Sequence, residues 1–216
     1  MCGIVGYIGD KEAKGIVLKG LKRLEYRGYD SSGISTFENK SIVTTKCKGK
    51  ISHLENKIYN KTHHGSIGIG HTRWATHGKP NMRNAHPHHD NTNKFSLIHN
   101  GIIENHHTIK KYLIKEGVNF KSDTDTEVLV QFISYLYNKH ELTFFEAVKL
   151  ALKEVIGAYG ILVLCHDEPE KIIAARNGSP LIIGLGENEN FVASDTSAVI
   201  DFTRNILLPN AKVFKN

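Results

Sequence analysis

The chain has 216 residues, of which 40% are hydrophobic and 23% are charged, and these proportions are ordinary for a globular protein. Its longest unbroken apolar stretch, ILVLC at 161–165, is far shorter than the roughly 20 residues that a membrane-spanning helix needs. Three cysteines without a CxxC pair support neither a disulfide scaffold nor a zinc finger, as is usual in a reducing cytosol. We therefore expect one cytoplasmic domain over residues 1–216, with no signal peptide and no membrane contact.

The net charge of +6, from 28 basic and 22 acidic residues, raises the hypothesis of a nucleic-acid partner. The densest excess of lysine lies at 38–61. Nucleic-acid surfaces usually add arginine and stacking aromatic residues, and here Tyr59 is the one aromatic side chain near the lysines. The pattern favours a solvated lysine face, and we expect no nucleic-acid partner.

The first half of the chain predicts strands around one helix. The β-branched, apolar run at 2–9 predicts a buried strand, and Asp10 stands where a helix N-cap would. Residues 31–37 and 41–47 flank a short polar turn and predict a hairpin. Further strands are predicted at 66–72 and 95–100.

The middle of the chain predicts helices, and strands return after it. A helix is predicted from His106 to Glu116, with two more opening at Thr124-x-x-Glu127 and Thr143-x-x-Glu146, each a capping box. Strands are then predicted at 159–165, 171–175, 180–185 and 190–194. Strands, a helical block and strands again indicate an α+β domain with helices outside two sheets.

Cys2 is the residue with the most chemical content. Cysteine is small enough for the initiator Met1 to be removed, which would leave Cys2 with a free α-amine. An α-amine has a pKa of about 7.7–8.0, so it can act as general base for the thiol of its own residue. The alternative is a buried strand residue. Gly3 argues against that alternative, because glycine weakens a strand but lets a substrate approach closely.

Two further motifs bear on this chemistry. GHTRWATHG at 70–78 follows an apolar strand, and its Arg73 offers a planar fork for a carboxylate. In HNGIIEN at 99–105, Asn100 and Gly101 stand between two apolar runs and predict a hairpin turn. The same pair suits an oxyanion hole built from a side-chain amide and a backbone N–H. Both interpretations stay open.

Acidic and histidine motifs complete the set. Asp125, in SDTDTE at 122–127, falls in the first turn of a capped helix, where the dipole stabilises an anion that can bind an ammonium group. NAHPHH at 84–89 suggests a metal site, but Pro87 breaks any helical spacing and no second carboxylate or cysteine is near. We expect no metal and no cofactor. An arginine for a carboxylate, an aspartate for an ammonium, a thiol and an oxyanion hole together indicate an enzyme that acts on glutamine or asparagine.

Several motifs in fixed order make the sequence similar to the class II, N-terminal-nucleophile glutamine amidotransferases. Within that family, LEYRGYDS at 24–31 resembles the sugar-phosphate branch more than the purine branch. The resemblance implies a four-layer αββα sandwich, L-glutamine as substrate, and sugar-isomerase domains that supply a fructose 6-phosphate acceptor in a longer chain or separate subunit. The other motifs of the match are CGIVGYIG, GHTRWATHG, NAHPH, HNGIIEN, SDTDTE, GAYG and ARNGSPL.

The resemblance also implies a role for each site residue. Cys2, after loss of Met1, would form a γ-glutamyl thioester and release ammonia, and Asn100 with Gly101 would stabilise the oxyanion. The substrate-binding set is Arg73 for the α-carboxylate, Asp125 and Thr76 for the α-ammonium, Trp74 as a gating aromatic, and His77 and His86 as pocket-organising residues. Arg27 would support the loop over the nucleophile, whereas we interpret Tyr26, Gly28 and Asp30 as structural.

Other hypotheses stay open beside this one. The chain could be the glutaminase domain of another class II amidotransferase, since the acceptor domain is absent from the sequence. It could also be a catalytically silent module that binds glutamine or a protein partner. Retention of Met1 would favour the silent module, because the α-amine of Cys2 would then lie in an amide bond. A basic nucleic-acid-binding module is the least favoured hypothesis.

Overall fold

The central strands carry apolar side chains on both faces, which explains why the chain folds into stacked layers. In the first strand, Val5 and Tyr7 pack into one buried cluster, whereas Ile4 packs into another on the opposite face. Successive side chains of a strand point to opposite faces of its sheet, so a strand that is apolar on both faces must be covered on both. The computed structural model describes residues 2–74 and 81–208.

Two antiparallel sheets form the inner layers. Their strands are Gly3–Ile8 (β1), Ser31–Glu38 (β2), Ser41–Lys48 (β3), Ile67–Arg73 (β4), His88–His89 (β5), Phe95–Ile103 (β6), Gly157–Cys165 (β7), Ile173–Asn177 (β8), Ile182–Leu185 (β9), Asn190–Ala193 (β10) and Ile206–Leu207 (β11). The first sheet has the order β11-β9-β10-β1-β4-β2-β3, and the second has the order β5-β6-β7-β8. Strand β1 therefore lies in the middle of the first sheet, between β10 and β4.

Helices form the two outer layers. They are Ala13–Arg23 (α1), Ile51–Ile58 (α2), His106–Lys115 (α3), Asp125–His140 (α4) and Phe144–Glu154 (α5). Helices α1 and α2 share a buried cluster with the first sheet, and α3, α4 and α5 share one with the second. This αββα sandwich confirms the fold class expected from the sequence.

A third apolar cluster fills the space between the sheets. Ile4 and Ile69 come from the first sheet, and Ile98 and Leu162 come from the second. All four side chains are fully buried, so the two sheets hold a fixed spacing in this layer. The inter-sheet layer brings the start of β1 close to β6.

Most of the predicted elements are present. The hairpin of β2 and β3 turns at Asn39 and Lys40, which have φ values of 47° and 60°. The capping box at Thr143 and Glu146 is complete. At the start of α4, the Thr124 hydroxyl accepts the Glu127 N–H at 3.2 Å, but the Glu127 carboxylate accepts N–H groups of residues 121 and 122 instead of the Thr124 N–H. The expected reciprocal box is therefore only half formed.

Three features differ from the sequence-based expectation. Asp10 is not the N-cap of α1, because the chain turns before Glu12, which takes that position without a side-chain hydrogen bond. Helix α2 was not expected in the lysine-rich segment, where only Ile51, Leu54 and Ile58 mark its buried face. Strands β5 and β11 have two residues each, too few to show a periodic pattern.

Among the described residues, no helix combines the length and the apolar character needed to cross a bilayer.

A buried histidine beside the hairpin of β2 and β3 should make the stability of the fold depend on pH. His63 is fully buried, its ring nitrogens bond the hydroxyls of Thr36 at 2.8 Å and Thr45 at 3.0 Å, and burial lowers the pKa of His63 to about 4. In the unfolded chain the His63 imidazole takes up a proton near pH 6.5. The neutral, buried His63 therefore makes its full contribution to the free energy of unfolding above pH 6.5, and this contribution is lost as the pH falls toward 4.

We expect His63→Asn to reduce the loss of unfolding free energy between pH 7.5 and pH 5.5 by about 1 kcal/mol. Urea unfolding at both pH values measures the loss. The matched control is His107→Asn, which changes an exposed histidine and should leave the wild-type pH dependence unaltered. An equal loss in both variants would contradict the assignment.

Candidate active site

One cavity of about 270 Å³ lies where the first sheet meets the second. It opens beside the start of β1, the end of β4 and the middle of β6, three strands that the inter-sheet layer holds together. Its described lining residues are Cys2, Arg27, Arg73, Trp74, His86, His99, Asn100, Gly101, Ile102, Thr124, Asp125, Thr126, Ser179 and Pro180. Residues far apart in the sequence thus share one wall.

The thiol of Cys2 is held by the backbone at the end of β4. Its Sγ accepts the Trp74 N–H at 3.1 Å and lies 3.4 Å from the Trp74 carbonyl oxygen. Burial raises the pKa of the thiol, whereas the Trp74 N–H and the charge of Arg73 act in the opposite direction. At neutral pH the sulfur therefore needs a base to become a thiolate.

Asn100 joins Cys2 to the second sheet. Its Nδ2 donates to the Cys2 carbonyl oxygen at 2.9 Å, and its Oδ1 lies 2.9 Å from Nε2 of His71. Gly101 follows with a φ of +131°, and a Cβ there would lie 2.0 Å from the Ala158 carbonyl oxygen. Asn100 and Gly101 thus lie inside strand β6, and the expected hairpin turn is wrong. Gly101 has the positive φ that a turn would also need, but here its missing side chain lets β6 and β7 approach each other closely.

Asp125 is the first residue of α4, and its side chain lies in the cavity wall. Oδ2 accepts the N–H of Ile103 at 2.9 Å, which ties the start of α4 to the end of β6. The carboxylate is 7% exposed and sits at the positive end of the helix dipole. It combines a fixed position with a negative charge, as an ammonium-binding group requires.

Two arginines line the same cavity. Arg73 ends β4 and is only 3% exposed, so its guanidinium charge is held inside the protein. Arg27 forms an ion pair with Asp195 and donates from Nε to the Tyr26 hydroxyl at 2.9 Å. The Arg27–Asp195 pair connects the segment after α1 with the segment after β10.

Gly28 and Asp30 position the end of β4. A Cβ on Gly28 would lie 2.7 to 2.9 Å from backbone atoms of Arg73 and Trp74. The Asp30 N–H donates to the Arg73 carbonyl oxygen at 3.1 Å. Both residues thus meet the end of β4 through their backbone, whereas Tyr26 is 69% exposed. Trp74 is half exposed at the rim and meets Tyr29 edge to face at 5.5 Å.

Each histidine of the NAHPHH motif is hydrogen-bonded to a different hydroxyl group. His86 Nε2 lies 2.8 Å from the Thr126 hydroxyl, His88 Nε2 lies 3.1 Å from the Thr124 hydroxyl, and His89 Nε2 lies 2.7 Å from that of Thr44. Burial lowers the pKa of His86 and His88 well below the usual range. Across residues 2–74 and 81–208, no three histidine, cysteine or carboxylate side chains are arranged to hold a metal ion.

Two of the expected site residues, Thr76 and His77, lie outside the described residues. The structure adds cavity residues that sequence reasoning missed. Thr126 was inside the SDTDTE motif, and its hydroxyl lies within hydrogen-bond distance of both His86 and His99. His99 was inside HNGIIEN, so both had a motif signal, whereas Ser179 and Pro180 come from a distant segment whose approach only the fold reveals.

Comparison with known proteins places this geometry in a family. A family model described as a glutamine amidotransferase domain matches residues 71–201. The glutamine–fructose-6-phosphate aminotransferase (isomerizing) of Clostridium tetani is 52% identical over 96% of this chain and 34% of that protein. That of Bacteroides thetaiotaomicron is 53% identical over the same shares. The chain thus spans about a third of the length of these curated relatives.

Solved structures agree with the fold. Glutamine phosphoribosylpyrophosphate amidotransferase from Bacillus subtilis superposes with a TM-score of 0.80 at 29% identity, over 92% of this chain and 43% of that one. A structure described as the allosteric regulatory enzyme of purine biosynthesis gives 0.84 at 29% identity, over 96% and 44%. The αββα sandwich is thus of the N-terminal-nucleophile hydrolase type, and the chain belongs to the glutamine amidotransferase domain family.

Proposed function

We propose that this chain hydrolyses the side-chain amide of L-glutamine to glutamate and ammonia, with Cys2 as the nucleophile after removal of Met1. The observation that carries the proposal is the junction of Cys2 with Asn100 and Trp74. There a thiol, a side-chain amide and the end of β4 meet in one cavity through hydrogen bonds of 2.9 and 3.1 Å.

The charges of the cavity match the α-carbon end of glutamine. Arg73 supplies a buried guanidinium for the α-carboxylate, and Asp125 supplies a carboxylate for the α-ammonium. Both groups line the cavity together with Cys2. A glutamine held at its α-carbon by these two charges extends its side-chain amide toward the thiol, which is why we infer a free amino acid as substrate.

The proposed reaction begins with transfer of the thiol proton to the α-amine of Cys2. The sulfur attacks the amide carbon, and the carbonyl oxygen becomes an oxyanion that accepts hydrogen bonds from the Asn100 amide and the Gly101 N–H. The C–N bond then breaks, the proton passes to the leaving nitrogen, and ammonia departs from a γ-glutamyl thioester. Water attacks the thioester, which releases glutamate and restores the thiol.

The contacts of the neighbouring histidines favour the α-amine as the base. Within the described part of the chain, Sγ makes its hydrogen bonds with the Trp74 backbone. His71 Nε2 is bonded to Asn100, and His86 Nε2 is bonded to Thr126. An amine on the same residue as the thiol needs no further positioning, and its pKa of about 7.7–8.0 suits neutral pH.

We further propose residues 1–216 as one glutaminase domain whose ammonia is used on fructose 6-phosphate by sugar-isomerase domains, in a longer chain or a separate subunit. The relatives named for fructose 6-phosphate are 52% and 53% identical to this chain, whereas the phosphoribosylpyrophosphate enzyme is 29% identical. Tyr26 and Tyr29 of the LEYRGYDS segment favour the same branch. Without an acceptor domain, we expect simple hydrolysis of glutamine.

Glutamine hydrolysis should depend on both Cys2 and its free α-amine. We expect glutamate release by the processed protein, and a loss of at least about 10³-fold in Cys2→Ala, because the covalent path is removed. A form with Met1 retained, verified by intact mass, should be similarly inactive. Cys165→Ala is the matched control, since it removes a buried cysteine outside the cavity. Equal turnover by the wild type and Cys2→Ala would refute the nucleophile.

Recognition of the α-carboxylate should depend on the fork of Arg73. Arg73→Lys keeps the charge but loses the bidentate geometry, so we expect the KM for glutamine to rise about 10- to 100-fold with a smaller change in kcat. The preference for glutamine over its α-amide, which lacks that carboxylate charge, should fall as well. Arg83→Lys, which alters an exposed ion pair with Asp123, is the control. An unchanged preference in Arg73→Lys would contradict this role.

A further inference from the structure

His71 is a fully buried histidine that takes no step in the proposed mechanism. It lies on β4 two residues after Ile69, so both side chains point into the inter-sheet layer. Ile69 meets apolar neighbours there, whereas His71 meets a polar group of the other sheet. A polar contact inside an apolar layer is costly unless it is satisfied, which indicates a specific use.

The hydrogen bonds around Asn100 fix the direction of its amide. The Cys2 carbonyl oxygen can only accept, so the Asn100 atom 2.9 Å from it is the NH₂ group. The other amide atom is then Oδ1, which faces His71 Nε2 at 2.9 Å and needs a donor there. Nε2 also lies 3.1 Å from the His99 carbonyl oxygen, a second pure acceptor. Nε2 of His71 therefore carries the proton.

The other side of the ring agrees with this tautomer. Among residues 2–74 and 81–208, Nδ1 of His71 is buried and has no hydrogen-bond partner, so a proton there would be unsatisfied. Burial lowers the pKa of His71 to about 3, and the ring stays neutral at physiological pH with one proton, on Nε2. The ring packs against that of His86 at a centroid distance of 4.2 Å and a tilt of 42°, which restricts its rotation.

We propose that His71 is the positioning residue of the oxyanion hole: its Nε2–H holds the Asn100 amide so that one N–H binds the Cys2 carbonyl and the other faces the substrate oxygen. This inference rests on the proposed glutaminase function. His71 and Asn100 come from different sheets, so their hydrogen bond also fixes the sheet that carries the nucleophile relative to the sheet that carries the oxyanion donor.

Two substitutions of His71 with the same chemistry but different reach test the proposal. In His71→Gln the side-chain NH₂ lies near the position of Nε2, whereas in His71→Asn it lies near that of Nδ1 and falls short of Asn100. We expect His71→Asn to lower kcat for glutamine about 10- to 100-fold with KM within about threefold, and His71→Gln to keep kcat within about threefold. Ile69→Val, a packing change on the same strand face, should leave kcat unchanged.

A double-mutant cycle shows whether His71 acts through Asn100. Asn100→Ala alone should lower kcat about 10²–10³-fold, as the loss of an oxyanion donor does. If the role is positioning, adding His71→Asn to Asn100→Ala should lower kcat by no more than about twofold further. A full additional loss of 10- to 100-fold in the double variant would overturn the proposal.

Inhibitor binding separates this role from general damage to the fold. The aldehyde carbon of glutamate γ-semialdehyde adds to the thiol, and the thiol proton passes to the former carbonyl oxygen. The resulting hemithioacetal places a tetrahedral oxygen where the oxyanion would form, whereas glutamate forms no such adduct. His71→Asn should weaken semialdehyde binding in proportion to its loss of kcat and leave glutamate binding unchanged. A parallel loss for both ligands, or a kcat equal to that of the wild type, would refute the proposal. Absence of glutaminase activity in the wild-type protein would instead refute the proposed function.

Discussion

The hydrogen bond from Asn100 Nδ2 to the Cys2 carbonyl is the contact on which the rest of the site depends. It crosses from the second sheet to the first residue before β1, where the chain would otherwise be free to fray. In the proposed mechanism the nucleophile stands at the processed chain end, where it has an available α-amine but lacks the support of a preceding strand. Contacts from other elements must supply that support, and here they come from a strand of the opposite sheet.

The end of β4 supplies the second support, through the Trp74 N–H that binds the sulfur. That segment is itself held by backbone packing, because Gly28 lies too close to Arg73 and Trp74 to carry a side chain without displacement. The hydroxyl of Thr72 donates to the Gly28 carbonyl oxygen, so the two segments are joined in both directions. Rigid strands thus place the sulfur, and the proposed substrate would meet a preformed wall of electrostatic groups.

Sequence periodicity predicted the layers well because both faces of the central strands are apolar, as ILVLC at 161–165 illustrates. Ile161 and Val163 pack toward the helices, and Leu162 and Leu164 pack toward the other sheet. Periodicity failed where tertiary contacts override local preference. The Asn100-Gly101 pair has the composition of a turn, yet pairing with β7 keeps it inside strand β6.

In the candidate site, too, some residues are predictable from local sequence and others only from tertiary contacts. Residues whose chemistry is unusual for their position, such as Cys2, Arg73 and Asp125, were predicted from motifs, and the structure brings all three to one cavity. His71 and Thr126 make hydrogen bonds to residues outside their own elements. The local sequence around His71 and Thr126 does not indicate their hydrogen-bond partners. These contacts can be identified only from the assembled sheets and α4.

The most direct measurement is rapid chemical quench of the processed protein with L-glutamine, followed by mass analysis of the N-terminal peptide. The proposed mechanism predicts a transient γ-glutamyl group on the Cys2 sulfur that forms before glutamate accumulates and is absent in Cys2→Ala. The quench is carried out under conditions that slow hydrolysis of the thioester enough to trap it. Glutamate release with no acyl group on Cys2 at any quench time would then contradict a mechanism in which this thiol is the nucleophile.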